Sequence, residues 1–341
     1  MTAGRPPLPA THREVRLATR LRGALTPEHF TLAEAPLPAA GPGRLLVRNR
    51  VMAVTAAMCS MMTDAELPMP SFVPGQALWG SAVGEVVRSS GSAFAPGDLV
   101  LHPYGWREFA AVEEGRARRV DPEALPDPAA HLSQGVTAWG ALTRAAGVRP
   151  GDTVFVTGAA GGVGSLAGLL AKRLGAARVI GSTGSPHKVP YLRETLGYDE
   201  VIVRGAGPAE EQLRRAAPDG VDVLLDTVGG EQLRAALATA RTGARFALVG
   251  ALSAQLGGGA GVAAPVELDS SLVVTRRVTL RGFVLHDHPD LPREWVAEFG
   301  RGLRDGSLVF AHARLRGVDR APRALCELTR GCHTGAVLVE V

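Results

Sequence analysis

Between Asp152 and Ser165 the chain reads DTVFVTGAAGGVGS, in which Gly158, Ala159, Gly161 and Gly164 form an AxGxxG variant of a dinucleotide-binding fingerprint. Small residues at this spacing allow a tight turn, close approach of backbone amides to a pyrophosphate, and close packing of the next helix on the preceding strand. The chemistry such a turn serves is that of a bound dinucleotide cofactor.

Three elements must position those glycines. Thr153 to Thr157 is a β-branched and aromatic run suited to a buried parallel strand. SLAGLLAKRLGA, from Ser165, has helical spacing and stops at Gly175, so its first amides point at the phosphates. A second strand follows at Arg178 to Ser182. In a chain with 42 Gly a lone glycine pattern means little, and the order strand, turn, helix, strand carries the reading.

The end of the second strand selects the nucleotide. An NAD site places Asp or Glu there to accept from the ribose 2′-hydroxyl. This chain has Gly181, Ser182, Thr183, Gly184 and Ser185, with His187, Lys188 and, after the next strand, Arg204 nearby. Small hydroxyls and cations suit a 2′-phosphate, which an acid would repel. The expected cofactor is NADP(H). Lys172 and Lys188 are the only lysines, and Lys188 falls where the phosphate should be.

Composition sets limits. A chain of 341 residues exceeds the usual single core, so two domains are expected. With 46% hydrophobic residues and no apolar run near the roughly 18 residues of a membrane span, it reads as a soluble protein. MTAGRPPLPATHR has no apolar h-region and reads as a loose tail. Cys59, Cys326 and Cys332 are few and scattered, which argues against a disulfide framework and for a reducing cytoplasm. The net charge of +4 comes from scattered arginine without a dense basic run, so no nucleic-acid partner is expected.

The chain has two textures. Before about residue 127, short strand-like runs such as Arg44 to Asn49, Ser81 to Arg88 and Asp98 to His102 alternate with Gly and Pro turns. From Pro128, helices alternate with apolar strands: a helix around His131 to Ala146, the fingerprint unit, helix Pro186 to Leu196, strand Glu200 to Val203, helix Ala209 to Ala217, strand Val221 to Asp226, helix Gln232 to Arg241 and strand Arg245 to Val249. That alternation builds a parallel, doubly wound sheet. Thr279 to Leu285, a helix near Arg293 to Asp305 and a closing strand Ala336 to Val341 follow, and Gly257 to Gly261 reads as a loop.

TAWGAL, GAAGGVGS, HKVPYL, DGVDVLLDTVGG, LVGALS, RGF and GAVLVEV, in this order after LTPEHFTLAEAPLP, GSAVGEVV and PGDLVLHPYGWREF, make the chain resemble the medium-chain dehydrogenase/reductase superfamily. More narrowly it resembles the zinc-independent prostaglandin reductase, leukotriene B4 12-hydroxydehydrogenase and curcumin reductase branch. The resemblance implies an α/β fold: a Rossmann doubly wound domain over residues 128–306, and a β-rich GroES-like domain from 1–127 and 307–341. It implies NADPH-dependent reduction of the carbon–carbon double bond of an α,β-unsaturated ketone or aldehyde, in a homodimer. It places Gly161, Gly162, Val163 and Gly164 on the diphosphate, and Lys188 and Arg204 on the 2′-phosphate beside Ser182 and Thr183. Val228, Gly229, Gly250, Ala251, Leu252, Phe283, Val284 and Leu285 fall along the ribose and nicotinamide.

A catalytic zinc needs three protein ligands and an open position. Cys59 stands in a plausible place, but the later site reads Pro74, Gly75, Gln76, Ala77, without the His and Glu of the zinc branch. No metal is expected, and Cys59 reads as a small buried hydrophobe. His286 and His288, in the polar stretch HDHPD, read as surface residues.

Hydride addition to the β-carbon of an enone moves charge onto the carbonyl oxygen, which needs hydrogen-bond donors, and the α-carbon then needs a proton. Tyrosines stand near this site in the resembling family, whereas the equivalent positions here hold Ala57, Gln255 and Thr275. Tyr104, Gln255 and His333 are the candidate catalytic residues, with His102 also in reach by sequence, and His333 aligning to a family asparagine near the nicotinamide. A packed aromatic beside Trp106 is the structural alternative for Tyr104. Because these losses leave the cofactor half intact, the expected substrate is a specialised bacterial enone. Quinone or carbonyl reduction, and a redox-neutral or sensing use of bound NADP(H), are the alternatives.

Overall fold

The computed structural model describes residues 7–67, 69–91, 93–253 and 265–341. Gln255 and the Gly257 to Gly261 stretch lie outside them. In the N-terminal part, β1 (Thr11–Leu17) pairs antiparallel with β2 (Phe30–Pro36), so residues 11–13 belong to a strand and not to a tail. There follow β3 (Arg44–Val54), β4 (Ala82–Ser89), β5 (Leu99–His102), β6 (Phe109–Glu113) and the short β7 (Arg118–Arg119).

The next six strands alternate with helices: β8 (Thr153–Val156), β9 (Arg178–Thr183), β10 (Glu200–Val203), β11 (Val221–Asp226), β12 (Ala240–Leu248) and β13 (Thr279–Gly282). They form one sheet in the order β10-β9-β8-β11-β12-β13, every pairing parallel. The chain reverses direction across the sheet between β8 and β11, and the crevice at the carboxyl ends of those two strands is where a doubly wound sheet binds nucleotides. Both faces are covered, which is why these strands read as unbroken apolar runs. Val154, Leu166, Leu170, Trp295 and Phe299 pack on one face, and Phe155, Ile180, Leu213 and Phe246 on the other.

The chain then returns to the first part. β14 (His312–Arg316) and β15 (Ala336–Glu340) complete a seven-stranded sheet of order β14-β15-β3-β4-β5-β7, with β6 also on β3. A separate core of Met52, Met58, Cys59, Trp106, Leu325 and Cys326 lies under it.

Several boundaries differ from expectation. The helix foreseen over 131–146 is broken into a 3-10 turn Pro128–Leu132, a helix Gly135–Gly140 and a wider turn Ala141–Ala145 closed by Ala146 N donating to Ala141 O. Gly135 lies against Trp295 and Gly140 against Phe283, so close packing sets the path there. The helix foreseen to Arg241 ends at Ala238, because β12 starts at Ala240 opposite Val221. β13 stops at Gly282, where Phe283 N still reaches Leu248 O before the chain turns.

Candidate functional site

β8 delivers the glycine-rich turn to the crevice. Gly158 is left-handed, with φ of 62°, and a Cβ there would sit 2.7 Å from Thr227 Oγ1. A Cβ on Gly164 would lie 2.3 Å from Gly158 O and 2.6 Å from Ala159 Cα, so only glycine lets the helix Gly164–Arg173 start this close to the strand. Val163 is the N-cap of that helix, and Gly161 and Gly162 precede it, their amides at its positive end. Gly335, at the entrance to β15, donates its amide to Ala160 O at 2.9 Å, so the second sheet closes directly onto the turn.

Two buried side chains that the glycine pattern does not reveal hold this crevice. Asp226, at the end of β11 and 1% exposed, accepts from Thr157 Oγ1 at 2.6 Å, Val228 N at 3.0 Å and Gly229 N at 2.9 Å. It fixes the turn through Gly229 and Gly230, both left-handed. Tyr198 threads between Gly168 and Gly181, and its hydroxyl donates to Gly164 O at 2.6 Å. Burial pushes that phenol above its ordinary pKa, so it stays a neutral donor. Both lie within DTVGG and LGYDE, and the signal that could have found them is a polar residue in an otherwise apolar strand end or turn.

Beyond the turn lies a pocket of about 150 Å³ lined by Ser182, Arg204, Val228, Gly229, Gly230, Glu231, Gln232 and Ser253, among others. Ser182 and Thr183 were expected to meet a phosphate, but they are only 2% and 6% exposed. Ser182 Oγ accepts from Gly158 N and donates to Gln232, while Thr183 Oγ1 accepts from Ser185 N, so both serve the shape of the turn. The pocket's one carboxylate, Glu231, accepts from Ala209 N at 3.0 Å and so caps the helix Ala209–Ala216. Arg204 is exposed at the mouth, its guanidinium over Gly184. Lys188 is buried and donates to Gly331 O at 2.6 Å and to His333 O, with its pKa lowered by desolvation.

Residues 13–120 match the family described as the N-terminal domain of oxidoreductase, and residues 162–299 match the zinc-binding dehydrogenase family. The chain is 32% identical over 337 residues to the Bacillus subtilis protein YfmJ, named as an NADP-dependent oxidoreductase, with 97% of this chain and 98% of that one covered. It is 28% identical over 334 residues to the NADPH-dependent curcumin reductase of Escherichia coli, 95% of each chain being covered. The crystal structure of CurA from Vibrio vulnificus superposes with a TM-score of 0.89 at 28% identity, covering 97% of this chain and 98% of that one. The chain belongs to the zinc-independent branch of the medium-chain dehydrogenase/reductase superfamily. The zinc in the name of the second matched family has no counterpart in a matched stretch without cysteine, and no three His, Cys, Asp or Glu side chains converge among the described residues.

In this medium-chain reductase Gly250 to Leu252 and Phe283 to Leu285 follow the carboxyl ends of β12 and β13. Gly250 N reaches Asp226 O and Leu252 N reaches Thr227 O, so Gly250, Ala251 and Leu252 run beside the Asp226 turn. Phe283 turns inward, stacked on His288 at 5.1 Å, which makes His288 a packing residue while His286 stays exposed. Val284 is 53% exposed and Leu285 packs on the core. Cys59 is 2% exposed, its thiol pushed up to about 12 by burial.

The three candidate catalytic residues have different surroundings. Tyr104 packs its ring beside Leu45, Val47 and Val112, donates to Glu113 Oε2 at 2.8 Å and accepts from Arg116 at 2.7 Å. Trp106 is in the opposite core, stacked on Phe30. His333 stands two residues before Gly335 with its Nε2 2.9 Å from Glu327, which Arg323 also holds, at 2.6 Å. Gln255 is outside the described residues. His102 is 3% exposed and Tyr104 N donates to its Nδ1.

Proposed function

We propose that the protein is an NADPH-dependent reductase of the carbon–carbon double bond of an α,β-unsaturated ketone or aldehyde, its physiological substrate a specialised bacterial metabolite. The observation that carries this reading is similarity along nearly the whole chain to the curcumin reductase of Escherichia coli and to Prostaglandin reductase 1 of Rattus norvegicus, both at 28% identity over 334 residues. The 2-alkenal reductase of Nicotiana tabacum, 30% identical over 317 residues, supports it.

The site fits the cofactor. Glycine leaves room for a diphosphate at the turn, and the only carboxylate lining the adenosine pocket is engaged with Ala209 N. In this reading Gly161 to Gly164 orient the diphosphate, and Lys188 and Arg204 take the 2′-phosphate. Main chain at Val228, Gly229 and Gly250 to Leu252 holds the ribose, with Phe283 to Leu285 along the nicotinamide. Bound NADPH supplies the hydride that the substrate β-carbon accepts. His333, held by Glu327 at Nε2, is assigned the proton, which it would give as an imidazolium and regain from solvent. Gln255 is assigned to the carbonyl oxygen. We read residues 128–306 as the nucleotide-binding domain and 1–127 with 307–341 as the second domain, and the exposed Val274 near edge strand β13 as part of a homodimer face.

The test is a panel of enals, linear and cyclic enones and quinones with NADPH and mass analysis. Cofactor loss matched by a carbonyl product two hydrogens heavier is expected. Tightly bound NADPH that no enone or enal consumes would remove the reading.

A further inference from the structure

We propose that Gln134 is a further cofactor-binding residue, its side-chain amide lying over Gly162 at the edge of the diphosphate cradle. The proposal rests on the NADP(H) reading above and adds to it a residue that no fingerprint contains. Gln134 immediately precedes the helix Gly135–Gly140, and its backbone oxygen accepts from Thr137 N at 3.1 Å. The next residue fixes its place, because a Cβ on Gly135 would lie 2.6 Å from Leu166 Cδ1 and 2.1 Å from Trp295 Cζ2. Leu166 belongs to the helix that begins at Gly164, so Gln134 is anchored to the same element whose first amides form the turn.

From that anchor the side chain reaches across the turn. A Cβ built on Gly162 would sit 1.3 Å from Gln134 Oε1, 2.5 Å from Cδ and 3.3 Å from Nε2, so the carboxamide covers the α-carbon of Gly162. It makes no hydrogen bond to any other described residue. The half-buried carboxamide stays in reach of water, so a ligand can take it as a donor without breaking any hydrogen bond to another described residue. The neighbouring amides at the helix start favour an anion, and a flipped carboxamide would add an N–H donor beside them. Glycine at position 162 is explained by the same contact, since any side chain there would displace Gln134. The ligand group this geometry takes is the diphosphate, because Gly162 lies inside the turn and the helix starts two residues later.

The experiment titrates the full chain, as wild type, Gln134→Ala and Gln134→Glu, with NADPH, with its nicotinamide-free fragment 2′-phosphoadenosine diphosphoribose, and with adenosine 2′-monophosphate. Gln134→Ala is expected to bind the two diphosphate compounds about tenfold more weakly, the size of one charge-assisted hydrogen bond, and adenosine 2′-monophosphate as wild type does. Gln134→Glu is expected to lose more, since it sets a carboxylate against the phosphates. Unchanged affinity for both diphosphate compounds overturns the proposal, and so does a loss confined to NADPH, which would move the contact to the nicotinamide. An equal loss for adenosine 2′-monophosphate overturns it by showing general damage to the site. If wild type binds none of the three, the cofactor reading itself fails.

Discussion

Lys188 Nζ donates to the backbone oxygen of Gly331 at 2.6 Å, so the lysine expected at the 2′-phosphate grips the segment leading into β15. Lys188 and Gly335, which donates to Ala160 O, together pin that segment to the nucleotide-binding sheet at two points. A 2′-phosphate would have to share Lys188 with two carbonyls or take it from them. Replacing Lys188 and Arg204 together with Ala is expected to lower the preference for NADPH over NADH by at least about tenfold, with NADH affinity nearly unchanged. Titration of both cofactors by fluorescence reads the ratio, and an unaltered ratio contradicts the assignment.

Asp226 is expected to be the side chain on which the crevice depends most. Asp226→Ala leaves the Val228 and Gly229 amides and the Thr157 hydroxyl without their acceptor inside the protein. The expected loss is about 2–4 kcal/mol of stability, together with weakened cofactor binding. Denaturant unfolding with and without NADPH measures both, and a variant as stable as wild type would remove Asp226 from this role.

How much of this was legible beforehand depended on whether a signal was local. The run Thr153 to Val156, the glycines after it and the helix to Arg173 are set by neighbours in sequence, and the structure places them nearly where periodicity did. The local roles of Ser182 and Thr183 were not legible, because a hydroxyl at a strand end gives no sign in sequence that it accepts from Gly158 N or Ser185 N. Gln134 meets Gly162, Asp226 meets Thr157 and Tyr198 meets Gly164, pairs too far apart in sequence for any local window to bring together. Trp295 and Phe283, packed on Gly135 and Gly140 within the stretch foreseen as one helix over 131–146, are likewise out of reach of a local window.

Tyr104→Phe is expected to leave turnover and NADPH affinity unchanged. Its hydroxyl already serves Glu113 and Arg116, so the loss falls on stability, at about 1 kcal/mol. Steady-state kinetics beside thermal unfolding separates the two effects, and a fall in kcat without a fall in Tm would restore Tyr104 to the mechanism.

Burial pushes His102 down to about 3 from the ordinary 6.5. Below pH 6.5 the unfolded chain takes a proton here that the folded chain refuses, so stability present above 6.5 is lost as pH falls toward 3. At about pH 5 this one group accounts for about 2 kcal/mol. His102→Asn keeps an acceptor for Tyr104 N but cannot titrate, so its Tm should fall by a few degrees less than wild type between about pH 7 and pH 5. Equal falls would show that His102 does not drive the acid sensitivity.

Hydride delivery to the β-carbon is the central claim, and NADPH carrying deuterium at both positions of nicotinamide C4 tests it most directly when turned over with an enone the protein consumes. The account predicts one deuterium at the β-carbon of a saturated carbonyl product, with the α-hydrogen drawn from solvent. Deuterium at the carbonyl carbon of an unsaturated alcohol would mean carbonyl reduction instead, and product without deuterium would contradict cofactor-derived reduction altogether.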